Sequence, residues 1–132
     1  METLKIIIEK SSDYYDAYAE NCDGIYGAGN TVEDAKQNVM EGLNLYIKYH
    51  EENLPKILQG EYNIEYHFDV PSFLKYYSTV FTKSALQRMT GINQTQLTHY
   101  VSGFRKPSQR TINKLDEAIS NLSKELSQVH FV

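Results

Sequence analysis

The chain has 132 residues, of which 41% are hydrophobic, and its formal net charge is −4. This length allows one domain or two small ones, and the hydrophobic content is ordinary for a globular protein. The single cysteine, Cys22, excludes an intrachain disulfide and a cysteine-based metal cluster. No apolar run is long enough to span a membrane. We therefore expect a soluble, cytoplasmic protein that has no membrane partner.

The charges are distributed unevenly along the chain. Residues 1–81 hold six Lys or Arg and fourteen Asp or Glu, a net charge of −8, whereas residues 82–132 hold seven and three, a net charge of +4. An acidic front part and a basic back part indicate that the two parts meet different partners.

The front part shows the patterns of three strands, a helix and a fourth strand. The strands are predicted over residues 3–9, 14–20, 25–29 and 62–70, the last with the clearest alternation of apolar and polar residues. Thr31 is a suitable N-cap for the helix, which ends near His50 because Pro55 bars its continuation. The order β-β-β-α-β predicts a small sheet with one helix on it.

Tyrosine is unusually frequent in this part. The alternation places Tyr46, Tyr62 and Tyr66 in the core. A second group of tyrosines and acids falls on the opposite side of the predicted hairpin and in the segments after it: Tyr14, Asp16, Tyr18, Glu20, Asp23 and Tyr26. Exposed tyrosines among acids suit a protein-binding surface, although the same face could also pack under another element.

In the back part, a short helix over residues 73–80 leads into three further helices. Thr82 and Gly91 delimit the first of the three, and Asn93 and Gly103 delimit the second. Ser108 can cap the third. Two short helices joined by a glycine turn predict a helix-turn-helix. The second of these helices presents short polar side chains outward: Gln94, Thr95, Gln96, Thr98, His99 and Ser102.

The same window has no acidic residue between Thr82 and Leu115. A basic surface without acids is what a phosphate-facing surface requires. We expect Lys83, Arg105 and Lys106 to contact phosphates and the outward side chains of the second helix, with Asn93, to contact DNA. His99 is either a DNA contact or simply exposed. The alternative is a three-helix bundle that does not bind DNA.

These residues resemble the helix-turn-helix domain of the lambda-repressor-like (XRE) regulators. The resemblance runs through Leu86, residues 91–95, Leu97, Thr98, Ser102 and Gly103, and residues 105–108. One departure is Gln87, where that family usually has alanine. The resemblance implies binding to operator double-stranded DNA.

The front part resembles the HicB antitoxin domain through residues 18–35 and the helix that follows. Gly24, Gly29, Asn30, Thr31 and the pair Asp34-Ala35 fit its signature of a glycine followed by Gly-Asp-Thr-x-x-Glu-Ala. The family joins a β-β-β-α-β partial ribonuclease-H-like domain to a C-terminal DNA-binding domain. The implied fold is α+β, with a toxin-binding domain at 1–70, a connecting segment at 71–81 and a helix-turn-helix domain at 82–132. The implied protein is an antitoxin and repressor whose partner is a HicA-type toxin, a small basic ribonuclease.

Two other functions are compatible with parts of the sequence. A ligand-responsive regulator without a toxin partner would need an apolar pocket in the front domain. A nuclease would need converging carboxylates, but Asp13, Asp16, Glu20 and Asp23 crowd one hairpin and its turn. We therefore predict no catalytic residue, no metal and no cofactor.

The last predicted helix carries a row of apolar residues with alternating spacings of three and four. These are Ile112, Leu115, Ile119, Leu122, Leu126 and Val129. Such spacing is typical of a coiled-coil seam. Since the small domain can use only the first half of this row, Leu122, Leu126 and Val129 are predicted to form a homodimer interface. The front domain could add a second contact and give a higher even oligomer. The alternative is that this end folds back on the helix at 73–80.

Overall fold

The computed structural model describes all residues from Met1 to Val132 and shows a mixed α+β chain with one four-stranded sheet and five α-helices. The α+β class predicted from the sequence is confirmed. The chain divides into two compact units, Met1–Ser72 and Phe73–Val132, called here the first and the second unit. The elements in chain order are β1 (Glu2–Lys10), β2 (Tyr15–Ala19), β3 (Tyr26–Gly29), α1 (Val32–Tyr49), β4 (Tyr62–Phe68), α2 (Val70–Tyr76), α3 (Lys83–Thr90), α4 (Gln94–Ser102) and α5 (Gln109–Leu126), with short 3-10 turns at Lys56–Leu58 and Tyr77–Thr79.

The sheet has the strand order β3-β2-β1-β4. β1 and β2 form the predicted antiparallel hairpin, and β3 continues it by pairing antiparallel with β2. β4 pairs parallel with β1, so the chain crosses over through α1 before it rejoins the sheet on the other side of the hairpin. Parallel neighbours need such a crossover because a tight turn cannot connect them.

The core of the first unit lies between the sheet and α1. Leu4, Ile6 and Ile8 of β1 are fully buried, and register pairing places Ala19 beside Ile6 and Ala17 beside Ile8 on the same face. The helix contributes its own buried stripe of Val32, Ala35, Val39 and Leu43. Each buried Leu, Ile or Val side chain stabilises the fold by about 1.5–3 kcal/mol. The sheet therefore has an inner face toward α1 and an outer face away from it.

Two glycines let α1 approach β3 backbone to backbone. A Cβ atom on Gly27 would lie 2.2 Å from the backbone nitrogen of Val39, and one on Gly42 would lie 2.6 Å from the carbonyl oxygen of Tyr26. Glycine inside a strand is normally destabilising, because it raises the conformational entropy of the unfolded chain and has no side chain to pack. In the structure it is required by the packing of the helix.

The fourth strand ends earlier than predicted, at Phe68, and the prediction that Val70 belongs to it is wrong. Val70 opens α2, because the Asp69 carboxylate accepts a hydrogen bond from the backbone N–H of Ser72 at 3.2 Å and so caps the helix. Pro71 fits in this first turn, where a missing N–H costs no helical hydrogen bond. The proline therefore lies inside a helix that begins before the predicted one.

The prediction that Tyr46, Tyr62 and Tyr66 are core residues is only partly right, because all three are half-buried. The ring of Tyr46 stacks on that of His50 with centroids 4.0 Å apart at the end of α1. Tyr62 and Tyr66 lie on the inner face of β4, where the Lys36 ammonium sits 4.5 Å from the centre of the Tyr66 ring. The inner face of β4 is thus less covered than that of β1.

In the second unit, the predicted N-caps of α3, α4 and α5 and the predicted glycine ends of α3 and α4 are confirmed. Thr82 caps α3, Asn93 caps α4 and Ser108 caps α5, each through its side-chain oxygen. Gly91 takes the left-handed conformation after α3, with φ of 78°, which a glycine adopts without a steric penalty. The apolar centre of the unit consists of Leu86, Ile92, Leu97, Tyr100 and Leu115, all buried.

The last helix stops before the end of the predicted seam. α5 ends at Leu126, so Val129 lies outside the helix, which corrects the prediction that it continues the row. Leu115 is buried and Leu122 is half-buried, while Leu126 is 56% exposed. Val129 and Phe131 are also exposed.

We predict that Gly27→Ala destabilises the first unit by about 3 kcal/mol, because the new methyl group would force the α1 backbone away from β3. Gly60→Ala is the matched control, since a Cβ there meets no atom within 4 Å and only the positive φ of 74° is strained. That control should cost about 1 kcal/mol. Hydrogen exchange of the β1 and β4 amides measures the stability of the first unit. Equal losses for the two variants would show that the close contact is unimportant.

Candidate functional site

The N-terminal end of α4 is held in place by two side chains. The Asn93 side-chain oxygen accepts a hydrogen bond from the backbone N–H of Gln96 at 2.8 Å. The Gln87 side-chain oxygen, from α3, accepts one from the backbone N–H of Gln94 at 3.1 Å. Gln87, the position where alanine was expected, thus links the two helices directly. The first turn of α4 is therefore fixed relative to α3.

The outward side chains of α4 fall into two groups. Gln94, Thr95 and Gln96 are exposed, and their side chains make no hydrogen bond within the chain. The Thr98 hydroxyl instead donates to the carbonyl of Gln94 at 3.0 Å, and the Ser102 hydroxyl donates to the carbonyl of His99 at 3.1 Å. The first group can turn toward a ligand without breaking an internal contact.

His99 is half-buried, and its ring lies 4.8 Å from the ring of Phe104. Phe104 is itself 72% exposed in the loop after α4. Phe104, which was not identified from the sequence, therefore contacts the His99 ring. An exposed phenylalanine beside a row of polar side chains offers an apolar contact, such as one to a thymine methyl group.

The basic side chains of this region are all exposed and carry no ion pair. The Arg88 guanidinium donates to the Ser84 hydroxyl at 3.1 Å, which leaves its charge uncompensated. The cations stand at the two ends of α3, in the loop after α4 and on the first two turns of α5: Lys83, Arg88, Arg105, Lys106, Arg110 and Lys114. Unpaired cations can neutralise phosphates without first giving up an internal carboxylate.

An apolar cavity of about 120 Å³ lies within the second unit, between α2, α3 and α4. Leu74, Phe81, Leu86, Leu97 and Val101 form its walls, and Ser78, Thr82 and Lys83 line it as well. Pockets for drug-sized ligands are typically about 300–1,000 Å³. The cavity is therefore suited only to a very small apolar molecule, and it lies outside the front domain, where the ligand-responsive alternative had placed its pocket.

The outer face of the sheet carries a row of four residues in register across all four strands. Strand pairing aligns Tyr26 with Tyr18, Tyr18 with Ile7, and Ile7 with His67. We call this set the outer-face row. Ile7 and His67 were not identified from the sequence, because the row becomes visible only when β4 is known to lie beside β1. Tyr26 is 54% exposed, so part of this row faces solvent.

Acidic side chains border the outer-face row. Glu9 pairs in register with Asp16 on one side of it. On the other side, the Lys5 ammonium is 3.0 Å from the carboxylate of Glu20. Lys5 itself pairs in register with Glu65 of β4. Of the other residues predicted for toxin binding, Tyr14 is exposed just before β2, and Asp23 lies in the turn between β2 and β3 rather than on the sheet.

Asp16 is held between two hydroxyl groups. The Ser11 hydroxyl donates to one of its oxygens at 2.5 Å, and the Tyr26 hydroxyl donates to the other at 2.7 Å. Both bonds lower the pKa of the Asp16 carboxyl, and the bond from Ser11 has the larger effect. The bond between Tyr26 and Asp16 also raises the pKa of Tyr26. The two hydrogen bonds hold the Tyr26 ring beside Asp16 and favour the charged form of its carboxyl group.

No group of three or more His, Cys, Asp or Glu side chains lies close enough together to hold a metal ion. None of the helices combines the length and apolar character needed to cross a membrane.

Comparison of the chain with models of known protein families, with curated proteins and with solved structures found no match.

We predict that Ser11→Ala and Tyr26→Phe each raise the pKa of Asp16, with the larger rise in Ser11→Ala, because each removes one donor to the charged form. The carboxyl pKa is lower in the folded state than in the unfolded one. Its stabilising contribution is therefore present above the unfolded pKa and is lost as the pH falls through the folded one. NMR titration of the Asp16 carboxyl carbon measures the shift, and an unchanged midpoint in both variants would contradict these hydrogen bonds.

Proposed function

We propose that the protein is the antitoxin of a type II toxin–antitoxin pair. In this proposal the first unit neutralises a HicA-type toxin and the second unit represses the operon by binding operator DNA. The first unit holds five basic and fourteen acidic residues, a net charge of −9, and the second holds eight and three, a net charge of +5. Each unit thus carries the charge that its proposed partner, a basic ribonuclease or a DNA duplex, would attract.

The observation that carries the DNA-binding part is the arrangement of α4. Its first turn is fixed by Asn93 and Gln87, its free side chains are Gln94, Thr95 and Gln96, and unpaired cations flank it on both sides. We infer that α3 and α4 act as a helix-turn-helix and that α4 enters the major groove. Glutamine can then bond two atoms of adenine, while Lys83, Arg105 and Lys106 contact phosphates.

The toxin-binding part is supported by the outer-face row and its acidic border. We propose that the first unit is a partial ribonuclease-H-like domain, and its element order, β-β-β-α-β, is the order that the HicB resemblance implies. Tyr18 and Tyr26 supply rigid contact area, and Glu9, Asp16 and Glu65 supply negative charge around it. Docking of a basic toxin on this face would cover the surface with which the toxin holds RNA. No residue of this chain is proposed to be catalytic.

Dimerisation through α5 would suit this function. Leu122 and Leu126 remain partly or largely exposed on a helix whose earlier residue Leu115 is buried, and in-line exposed apolar residues usually mark an interface. We propose that these two residues pair with those of a second copy. A symmetric dimer can place two copies of α4 on half-sites about one helical turn apart.

A second candidate function is a ligand-responsive regulator without a toxin partner. The observation that favours it is the cavity of about 120 Å³ between α2, α3 and α4, since occupancy there could alter the position of α3. The two candidates differ in one measurable respect. An antitoxin forms a stable complex with the product of a small basic reading frame beside its gene, whereas a ligand-responsive regulator binds its operator differently when a small apolar molecule is added.

For DNA binding, we predict that Gln94→Ala weakens binding to the operator by about 1–3 kcal/mol and binding to random DNA little, because only base contacts carry sequence preference. Gln37→Ala, an exposed glutamine on α1, is the matched control and should change neither. Lys106→Ala should weaken both DNAs alike and reduce the slope of log affinity against log salt by about 1. Fluorescence anisotropy at several salt concentrations measures all three. An unchanged operator preference in Gln94→Ala would exclude α4 as the recognition helix.

For toxin binding, we predict that Tyr26→Ala in the full-length chain weakens binding to the toxin by about tenfold or more, since buried tyrosines dominate such interfaces. Tyr49→Ala is the matched control, because Tyr49 is 78% exposed at the end of α1 and lies outside the outer-face row. Tyr26→Phe keeps the ring and should lose much less. Calorimetry with the purified toxin gives the affinities, and operator binding should stay constant throughout. Toxin binding that is equally strong in all three variants would place the interface elsewhere.

A further inference from the structure

The two edges of the sheet differ in length and composition. β3 forms one edge with four residues, two of them glycines, whereas β4 forms the other with seven. On β4, the backbone N–H of Asp69 bonds the carbonyl of Ile8 at 3.3 Å. Because hydrogen-bonding direction alternates along a parallel strand, the odd-numbered residues of β4 bond β1. The N–H and C=O groups of Tyr62, Ile64 and Tyr66 therefore point away from the sheet.

β4 carries few of the features that normally block an exposed edge, and Glu65 is its only acidic residue. The sequence from Tyr62 to Phe68 contains no proline and no lysine, and its register with β1 runs without a bulge over seven consecutive pairs. The inner-face side chains of Tyr62, Ile64 and Tyr66 are only half-buried. The edge thus offers backbone groups to a strand and apolar side chains beside them, which is the arrangement that binds an added strand.

We propose that β4 pairs antiparallel with β4 of a second copy of this chain, joining two four-stranded sheets into one of eight strands. Such a contact is symmetric, so the same residues of both copies form it. The outward-pointing groups belong to even-numbered residues, and these must pair with even-numbered residues of the partner strand. Only three registers keep most of the strand paired, with the twofold axis at Ile64, Glu65 or Tyr66.

The charges of β4 select among these registers. An axis at Glu65 places the two Glu65 carboxylates directly opposite each other, which is destabilising. Within one copy, the Glu65 carboxylate already contacts the ring nitrogen of its own His67 at 3.1 Å. An axis at Tyr66 also places each Glu65 opposite the His67 of the other copy, so that two carboxylates and two imidazole rings lie together. An axis at Ile64 gives Glu65 only Asn63 as its opposite residue. The Lys5 ammonium also neighbours Glu65, but it is already bonded to Glu20. The pairing is therefore centred on Tyr66.

This contact requires neither the α5 seam nor DNA, although Glu65 and His67 also belong to the face that is proposed to bind the toxin. It also lies at the strand farthest from β3 in the sheet order, so the half of the outer-face row formed by Tyr18 and Tyr26 stays open in the pair. Combined with the α5 seam, it would give the even oligomer above a dimer. Without that seam, it should still give a dimer.

Single cysteines at the three possible axes report the register. In the full chain carrying Cys22→Ala, the variants Ile64→Cys, Glu65→Cys and Tyr66→Cys are oxidised and examined on a non-reducing gel. Residues facing each other across antiparallel strands have Cα atoms about 4.5–5.5 Å apart, within the reach of a disulfide. Tyr66→Cys should form the covalent dimer fastest. Tyr62→Cys serves as the control, because position 62 of one copy lies far from position 62 of the other. Fastest cross-linking at Ile64 or Glu65 would overturn this register, and rates no higher than the control at all three would overturn the pairing.

A charge exchange tests the same contact without a covalent bond. In full-length Leu122→Glu/Leu126→Glu, which removes the α5 seam, sedimentation velocity should show a dimer. Adding Glu65→Lys should weaken that dimer about tenfold, because a lysine then faces histidine. Adding His67→Glu as well should restore it, because the introduced ammonium then faces an introduced carboxylate. A seam variant that is monomeric at every concentration, or a double exchange that stays as weak as Glu65→Lys alone, would overturn the proposal.

Discussion

The first unit depends on the contact between the backbone of α1 and the backbone of β3. Gly27 and Gly42 make this contact possible, because any side chain at either position would collide with main-chain atoms of the other element. With small residues also at Ala17 and Ala19, the helix settles over the β3 and β2 side of the sheet. One helix cannot cover four strands. Its displacement toward β3 leaves the inner face of β4 half-exposed. β4 also has a free edge, because it is the last strand of the sheet.

The second unit is organised differently, since it relies on local stops and caps around a small apolar centre. Each helix begins at a residue whose side chain bonds its own first turn, and two end at a glycine with positive φ. These short helices would be unstable in isolation, because nucleating a helix is costly. Leu86, Leu97 and Leu115 hold them together. The remaining surface is free to be basic, because its cations take no part in holding the fold.

Features that depend on neighbours in sequence were predictable. The caps at Thr82, Asn93 and Ser108 and the outward face of α4 follow from spacings of three or four residues, which sequence displays directly. Features that depend on distant residues were not. The outer-face row requires knowing that β4 joins β1, and the role of Gly27 requires knowing that Val39 lies against it. β4 ends early because the Asp69 side chain caps α2, although the alternation of apolar and polar residues continues to Val70.

The hydroxyl groups of Thr98 and Ser102 can accept hydrogen bonds from a molecule that contacts α4, but they cannot donate any. Each hydroxyl proton is already donated to a backbone carbonyl of the same helix, so each oxygen can only accept from a ligand. The Ser102 oxygen also accepts the backbone N–H of Phe104 at 3.3 Å. In a major groove such oxygens can accept from the amino groups of adenine or cytosine, but they have nothing to give to guanine, which presents two acceptors there. The glutamines near the start of the helix can both donate and accept. The first turn of the helix could thus contact several different bases, whereas its later part would disfavour guanine.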